Sequence, residues 1–535
     1  MGEIYKNKIG GKMKIKKQKI KVFLFLFSLS FLIFADPIWV ARYNGPANRD
    51  DIANAIAVDD SGNIYVTGTS WRDSTGLEDY DYLTIKYNSN GDILWVRTYN
   101  GPGNYDDIAN AIALDKNGNI YVTGLSFGDS LYPQYATIKY DSNGDILWIK
   151  RYGYGKATAI AVDSSSNVYV TGAEYSLEER GDYVTIKYNS NGDILWVKRY
   201  NGPANHWDEA SAIVVDNKGN VYVTGKSTGL GTSFDYATIK YNSEGVEEWV
   251  ARYNGSGNGG DIPTGIAVDS NGNVYVTGFS LNSDSNMDYV TIKYNPQGIE
   301  EWIAIYNGPA NFRDEAYAIK IDKNDNIYVT GRSGGYYLTI KYNPNGDTLW
   351  IRRYSSNSGQ PSAMVVDDSG NVYITGRCLV PSTDWDYLTN WDYLTIKYNS
   401  SGILEWAEMY SGPSIPADSR DSASAIAIDN NGYVYVTGKS YDSITAYDCA
   451  TIKYRAIKIN EKMQNKNTKL ELHINQNLSL GKLKINFNGS NLSIFDVSGR
   501  KIYSLKRGLN SYIISSSGIY FISSKSQKKI IVLNK

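Results

Sequence analysis

The chain has 535 residues, with 54 basic and 56 acidic side chains, a formal net charge of −2, 46 tyrosines and 12 tryptophans. Its two histidines, His206 and His473, and two cysteines, Cys378 and Cys449, are too few and too scattered for a His-rich metal centre or a zinc site. They also give a Ser-His-Asp triad no support.

At the N-terminus, Lys14, Lys16, Lys17, Lys19 and Lys21 precede the apolar run Val22 to Phe34 and then Ala35. A basic segment, a short apolar core and a small residue predict a secretory signal peptide over residues 1–35, with Met13 a possible true start. The apolar run is too short to span a bilayer comfortably. The mature chain is therefore expected to have no transmembrane segment.

Residues 36–455 repeat with a period of about 53 residues. Ile64-Tyr65-Val66-Thr67-Gly68 returns, with only Ile/Val exchange, at 120, 168, 221, 274, 327, 372 and 434. Thr-Ile-Lys-Tyr begins at 84, 137, 185, 238, 291, 339, 395 and 451. One unit reads as Ala55–Asp59, a turn at 60–63, Ile64–Gly68, a variable loop, Tyr82–Tyr87, a turn at 88–92 and Ile93–Tyr99. These are short β-branched and aromatic runs between Asn/Gly/Asp turns, with no helical period. They predict a four-stranded sheet with both faces covered, and radial repetition of such sheets is a β-propeller.

The apolar strand and the Trp strand each occur eight times, but the Trp strand is offset: Ile38–Tyr43 precedes the first unit and none follows the last. The fold class is therefore all-β, an eight-bladed propeller closed by the N-terminal strand. The predicted strand order is apolar (innermost), Tyr-Val-Thr-Gly, Thr-Ile-Lys-Tyr, Trp (outermost). The pattern Ala-Ile-Ala-Val-Asp-x-x-Gly-Asn-Val-Tyr-Val-Thr-Gly resembles the bacterial SBBP repeat, a relative of the NHL repeat. That family is named for seven blades; the count here is eight. The family offers no general catalytic motif. A weaker resemblance, through Tyr87 to Trp95, is to eight-bladed quinoprotein propellers.

Residues 456–469 are polar and read as a linker. Over 470–535 the predicted strands are Lys482 to Phe487, Leu492 to Phe495, Lys501 to Leu505, Ser511 to Ile514, Ile519 to Ile522 and Lys529 to Leu533, a small β-sandwich. Leu492 to Arg500, Gly518 to Ile522 and Lys528 to Val532 resemble the C-terminal sorting domain of the type IX secretion system. That resemblance implies the secretion machinery as partner and a secreted or cell-surface location. The usual Pro-Asn-Pro of such domains is absent; Asn475-Gln476-Asn477 stands near its place.

Charge follows the same division. Residues 456–535 carry 14 basic and 3 acidic groups, and the propeller 32 basic and 52 acidic, a net of −20. An acidic disc argues against nucleic acid and anionic membrane as partners.

Two sets of aspartates recur. Asp59, Asp115, Asp163, Asp216, Asp269, Asp322, Asp367 and Asp429 end the innermost strands, and an Asx-turn explains them better than an incomplete calcium loop. Asp51, Asp107, Asp208, Asp261, Asp314 and Asp421 precede the innermost strands, with Gly155 and Gly359 in the other two units. At the channel mouth they are expected either to cap backbone amides or to form an acidic ligand-binding ring. The loops after Tyr-Val-Thr-Gly vary most, and Trp71 and Trp385 on them complete the candidate site. The lysines of Thr-Ile-Lys-Tyr are expected to snorkel or to pair with aspartates, the eight tryptophans to pack between blades, and Cys378 and Cys449 to form a disulfide.

The expected function is non-enzymatic binding of an extracellular polymer, protein or glycan by a monomer without metal or cofactor. The alternative is an extracellular propeller enzyme, a polysaccharide hydrolase or lyase or a quinoprotein relative.

Overall fold

The computed structural model describes residues 37–72, 79–128, 132–175, 181–354, 358–380, 390–413 and 420–455, and the backbone of seven strands between 474 and 533. The expected signal segment, the linker and Trp385 lie outside the described residues. Contacts divide the chain into two compact units, Met1–Ile457 and Lys458–Lys535.

The first unit holds eight four-stranded antiparallel sheets. Blade 1 is Asp51–Val58, Ile64–Trp71, Tyr80–Tyr87 and Ile93–Tyr99, from the innermost strand outward. Blades 2 to 7 repeat it, from Asp107–Leu114 through to Leu404–Tyr410. Blade 8 takes Ser422–Ile428, Tyr433–Asp442 and Ala446–Arg455 from the end of the ring and Trp39–Tyr43 from its beginning. Trp39 pairs with Lys453 and Tyr43 with Cys449. The offset strand count is thereby resolved as predicted.

The second and third strands carry most of the core, because both of their faces are covered. Ile64, Val66, Leu83, Ile85 and Tyr87 of blade 1 are fully buried, packed with Tyr435 and Cys449 of blade 8. Each such aliphatic side chain removed from water contributes roughly 1.5–3 kcal/mol. The innermost strand is irregular. A bulge between Ala53 and Ala55, repeated in every blade, brings it close to the second strand. At Gly68 a Cβ would lie 1.9 Å from the Ile52 carbonyl oxygen, which is why this glycine recurs.

Neighbouring blades are joined by the outer tryptophans. The Trp39 indole lies over Gly91 (φ +89°), and its N–H donates to Ser89 O at 3.1 Å. The Lys453 ammonium reaches the same carbonyl at 2.8 Å. Trp95 and Lys86 share Ser142 O in the same way, and Trp148 and Lys139 share Ser190 O. The repeated lysine, expected to snorkel or to pair with an aspartate, thus mainly donates to the next blade's turn carbonyl. Blade 7 departs from the pattern, since blade 8 has no turn between its third and outer strands. Lys397 instead pairs with Glu405 at 2.5 Å, and the buried Trp406 N–H finds no acceptor among the described residues.

Each blade therefore presents uniform turns on one side of the disc, the turn face. The loops after the second strand and those between blades emerge on the other, the loop face.

The second unit contains a three-stranded sheet, Ile474–Asn477, Lys482–Asn486 and Ser511–Ile514. It also contains a four-stranded sheet ordered Lys501–Leu505, Leu492–Phe495, Gly518–Ser524, Lys528–Leu533. Six of these strands match the predicted ones closely; the strand at 474–477 was not predicted.

Candidate functional site

Both aspartate sets hold backbone. Asp59 Oδ1 accepts the Ser61 and Asn63 amides at 2.9 and 2.8 Å, and Oδ2 accepts the Asn63 side chain at 2.8 Å and the Tyr65 hydroxyl at 3.0 Å. Asp115 repeats this with Asn117, Asn119 and Tyr121. Burial would raise the Asp115 pKa, but the Asn119 and Tyr121 hydrogen bonds outweigh it and pull it below the usual carboxylate range. Both oxygens serve a local turn and the buried tyrosine behind it.

The second set takes the first of its two expected roles, capping backbone amides, and does not form the acidic ring. Asp51, Asp107, Asp208, Asp261, Asp314 and Asp421 are at most 1% exposed, so they do not line an open mouth. Each Oδ2 accepts a glycine amide from the loop entering its blade. The donors are Gly45 (2.5 Å), Gly101 (2.5 Å), Gly202 (2.7 Å), Gly255 (2.7 Å), Gly308 (2.5 Å) and Gly412 (2.6 Å).

One of the two glycine-bearing blades shows what the aspartate is for. Blade 3 is entered through the short link Gly153-Tyr154, which has no Asn-Gly-Pro loop to hold. A Cβ at Gly155 would meet the Ala173 carbonyl at 2.0 Å. The aspartate is present in the six blades whose entering loop supplies a donor glycine, and blade 3, whose link has no such loop, lacks it. Burial pushes Asp51 up to about 6, against the pull of the Gly45 amide and the Ser70 hydroxyl.

Of the two aromatic candidates, Trp71 is half-buried. It packs edge-on to Tyr80 at 5.1 Å, with the Arg49 guanidinium 5.1 Å from its ring centroid. Trp385 lies outside the described residues.

Less buried charge on the loop face comes from residues that sequence reasoning passed over. The residue after Tyr-Val/Ile-Thr-Gly is Thr69, Leu125, Ala173 and Phe279 in four blades but Lys226, Arg332, Arg377 and Lys439 in blades 4, 6, 7 and 8. Glu209, opposite Lys226 on the inner strand, takes it at 3.0 Å and Lys156 of blade 3 at 2.7 Å. Glu315, opposite Arg332, takes it at 2.7 Å and Arg313 at 2.5 Å. A basic residue in only half of the copies of an otherwise constant motif was the available signal.

The expected disulfide is absent. Cys378 and Cys449 are both free and buried, and burial raises each thiol to about 12. Cys378 packs with Tyr328 and Trp350 of blade 6, and Cys449 with Ala53 and Ile64 of blade 1. They occupy different interblade layers, which rules out the short Cα separation a bond requires.

Closed rings of four-stranded blades with one variable face define a β-propeller repeat protein. Residues 38–73, 94–132, 195–231, 248–284 and 417–444 match the SBBP beta-propeller repeat family. No curated protein matches this chain. Solved structures similar to it include a Dos1 propeller, 9% identical over 78% of this chain and 97% of that one, with a TM-score of 0.45. Another is a eukaryotic initiation factor, 9% identical over 69% and 91%, with a TM-score of 0.35.

Proposed function

We propose that this protein is exported and displayed at the cell surface, where its loop face binds an extracellular glycan without chemical turnover. The observation that carries this reading is the contrast between the two faces. Strands, tryptophan wedges and turns repeat around the ring, while loop lengths, aromatic residues and uncommon charges differ from blade to blade on the loop face. Variation confined to one face of a repeat scaffold marks the interaction face. The basic C-terminal unit serves delivery by the type IX secretion machinery, whose C-terminal sorting domains its sequence resembles.

The test uses the full chain against neutral and acidic polysaccharides, with retention and reducing-end release measured in the same samples. Retention without new reducing ends is expected. Sustained cleavage of any member of the panel would replace the binding role with an enzymatic one.

A further inference from the structure

Blades 7 and 8 keep the loop-face cations of blades 4 and 6 but not the inner-strand glutamate opposite them. The inner-strand residue opposite Lys226 and Arg332 is a glutamate; opposite Arg377 it is Gln360, and opposite Lys439 it is Ser422. Gln360 accepts from Arg377 at 2.7 Å and supplies no charge. A third cation, Arg420, lies between them. It bridges to Trp391 of blade 7 and lies beside Tyr447 of blade 8. Among the described residues, none of the three cations makes an ion pair.

They are also close together. Burial lowers the Lys439 pKa; Asp50 opposes that, and Arg377 and Arg420 add to it. Asp50 is engaged with the Tyr447 amide at 3.2 Å and the Tyr80 hydroxyl at 3.4 Å. Beside the cations stand two half-buried rings, with Arg377 4.7 Å from the Trp391 centroid and Lys439 4.4 Å from that of Tyr447.

Resting on the glycan-binding reading, we propose that Arg377, Arg420 and Lys439 form a site for the carboxylate of an acidic sugar, with Trp391 and Tyr447 flanking its ring. Guanidinium and ammonium donors that make no ion pair among the described residues match an external carboxylate, and a planar guanidinium binds it bidentately. Aromatic edges and faces suit a sugar ring better than an extended acidic peptide. The net charge of −20 on the surrounding disc disfavours a densely charged polyanion and favours isolated carboxylates.

The experiment is calorimetric titration of the full chain with a neutral xylo-oligosaccharide bearing a single glucuronic acid, its methyl-ester form and polyglutamate. Three proteins are compared: wild type, R377Q/K439Q and Gln360→Glu. The last rebuilds the internal pair of blade 6 and removes no cation. The acid sugar is expected to bind and the ester at least about tenfold more weakly; both variants should lose about tenfold or more, with binding weakening as salt rises. Equal binding of acid and ester would overturn this site while leaving a glycan-binding role standing. Preference for polyglutamate would overturn the sugar assignment. Unchanged affinity in both variants would place the ligand elsewhere. No binding of any probe would overturn the site, and the wider polysaccharide panel then decides the glycan-binding role separately.

Discussion

The Asp51 carboxyl is a buried acid whose pKa is higher in the fold, about 6, than in the unfolded chain. The folded state then binds its proton more tightly. The ionised form costs stability in full above pH 6, and this cost fades as pH falls towards the unfolded value of about 4. D51N should therefore flatten the part of the stability curve lying between pH 4 and 6. Denaturant midpoints of wild type and variant across that range check it, and an unchanged slope would exclude the assignment. The cysteines make a second residue-scale expectation. Two thiols should be inert in the native chain and both titratable after denaturation without reductant, since each is buried and unbonded. Recovery of fewer than two would restore the disulfide.

Loops and strands depend on each other through these residues. In blade 2 the Asp107 carboxylate is the acceptor for the Gly101 amide, and D107A leaves that buried N–H unpaired at a cost of about 1–3 kcal/mol. Replacing residues 100–106 with the short blade 3 link, together with D107G, should recover much of that loss, because the loop that needs the acceptor is gone. Urea midpoints of the two variants decide it; equal losses would mean that the aspartate serves something other than the loop.

Legibility tracked locality. The Asp59 turns were readable because donor and acceptor lie within six residues of each other. Asp51 was read only in part. Its pairing with Gly45 is equally local, but its burial needs a loop folded back between blades. The cations of blades 7 and 8 were missed because Arg377, Arg420 and Lys439 are distant in sequence and vanish in the net charge. Ile474–Asn477 was missed because three of its four residues are Asn or Gln, which carry little strand preference.

At the scale of the whole molecule, closure rests on five residues from the start of the chain. Trp39 joins Ser89 of blade 1, and Arg42 holds Asp448 at 2.7 Å, Ser440 at 2.5 Å and the Tyr410 hydroxyl of blade 7 at 3.1 Å. A chain lacking residues 37–44 leaves an open edge on the third strand of blade 8 and uncovers the apolar surface beneath Trp39. It should lose roughly several kcal/mol, judged from the side chains uncovered. Thermal and chemical unfolding measure this, and unchanged stability would show that the ring is held shut elsewhere.

The strand that closes the ring also fixes how the propeller carries load. Trp39 starts its strand opposite Lys453, two residues before the neighbouring one ends, and the Ile38 amide donates to the Lys453 carbonyl at 2.7 Å. The polypeptide thus enters and leaves through adjacent strands at the turn face, opposite Arg377 and Lys439. Tension between the two ends falls on the Ile38–Lys453 bond first and opens the pair one bond at a time, as a zip opens. Tension between a ligand on the loop face and the C-terminal end instead runs along the strands and loads many bonds together. Pulled by its ends the disc yields easily; pulled from its loop face it holds.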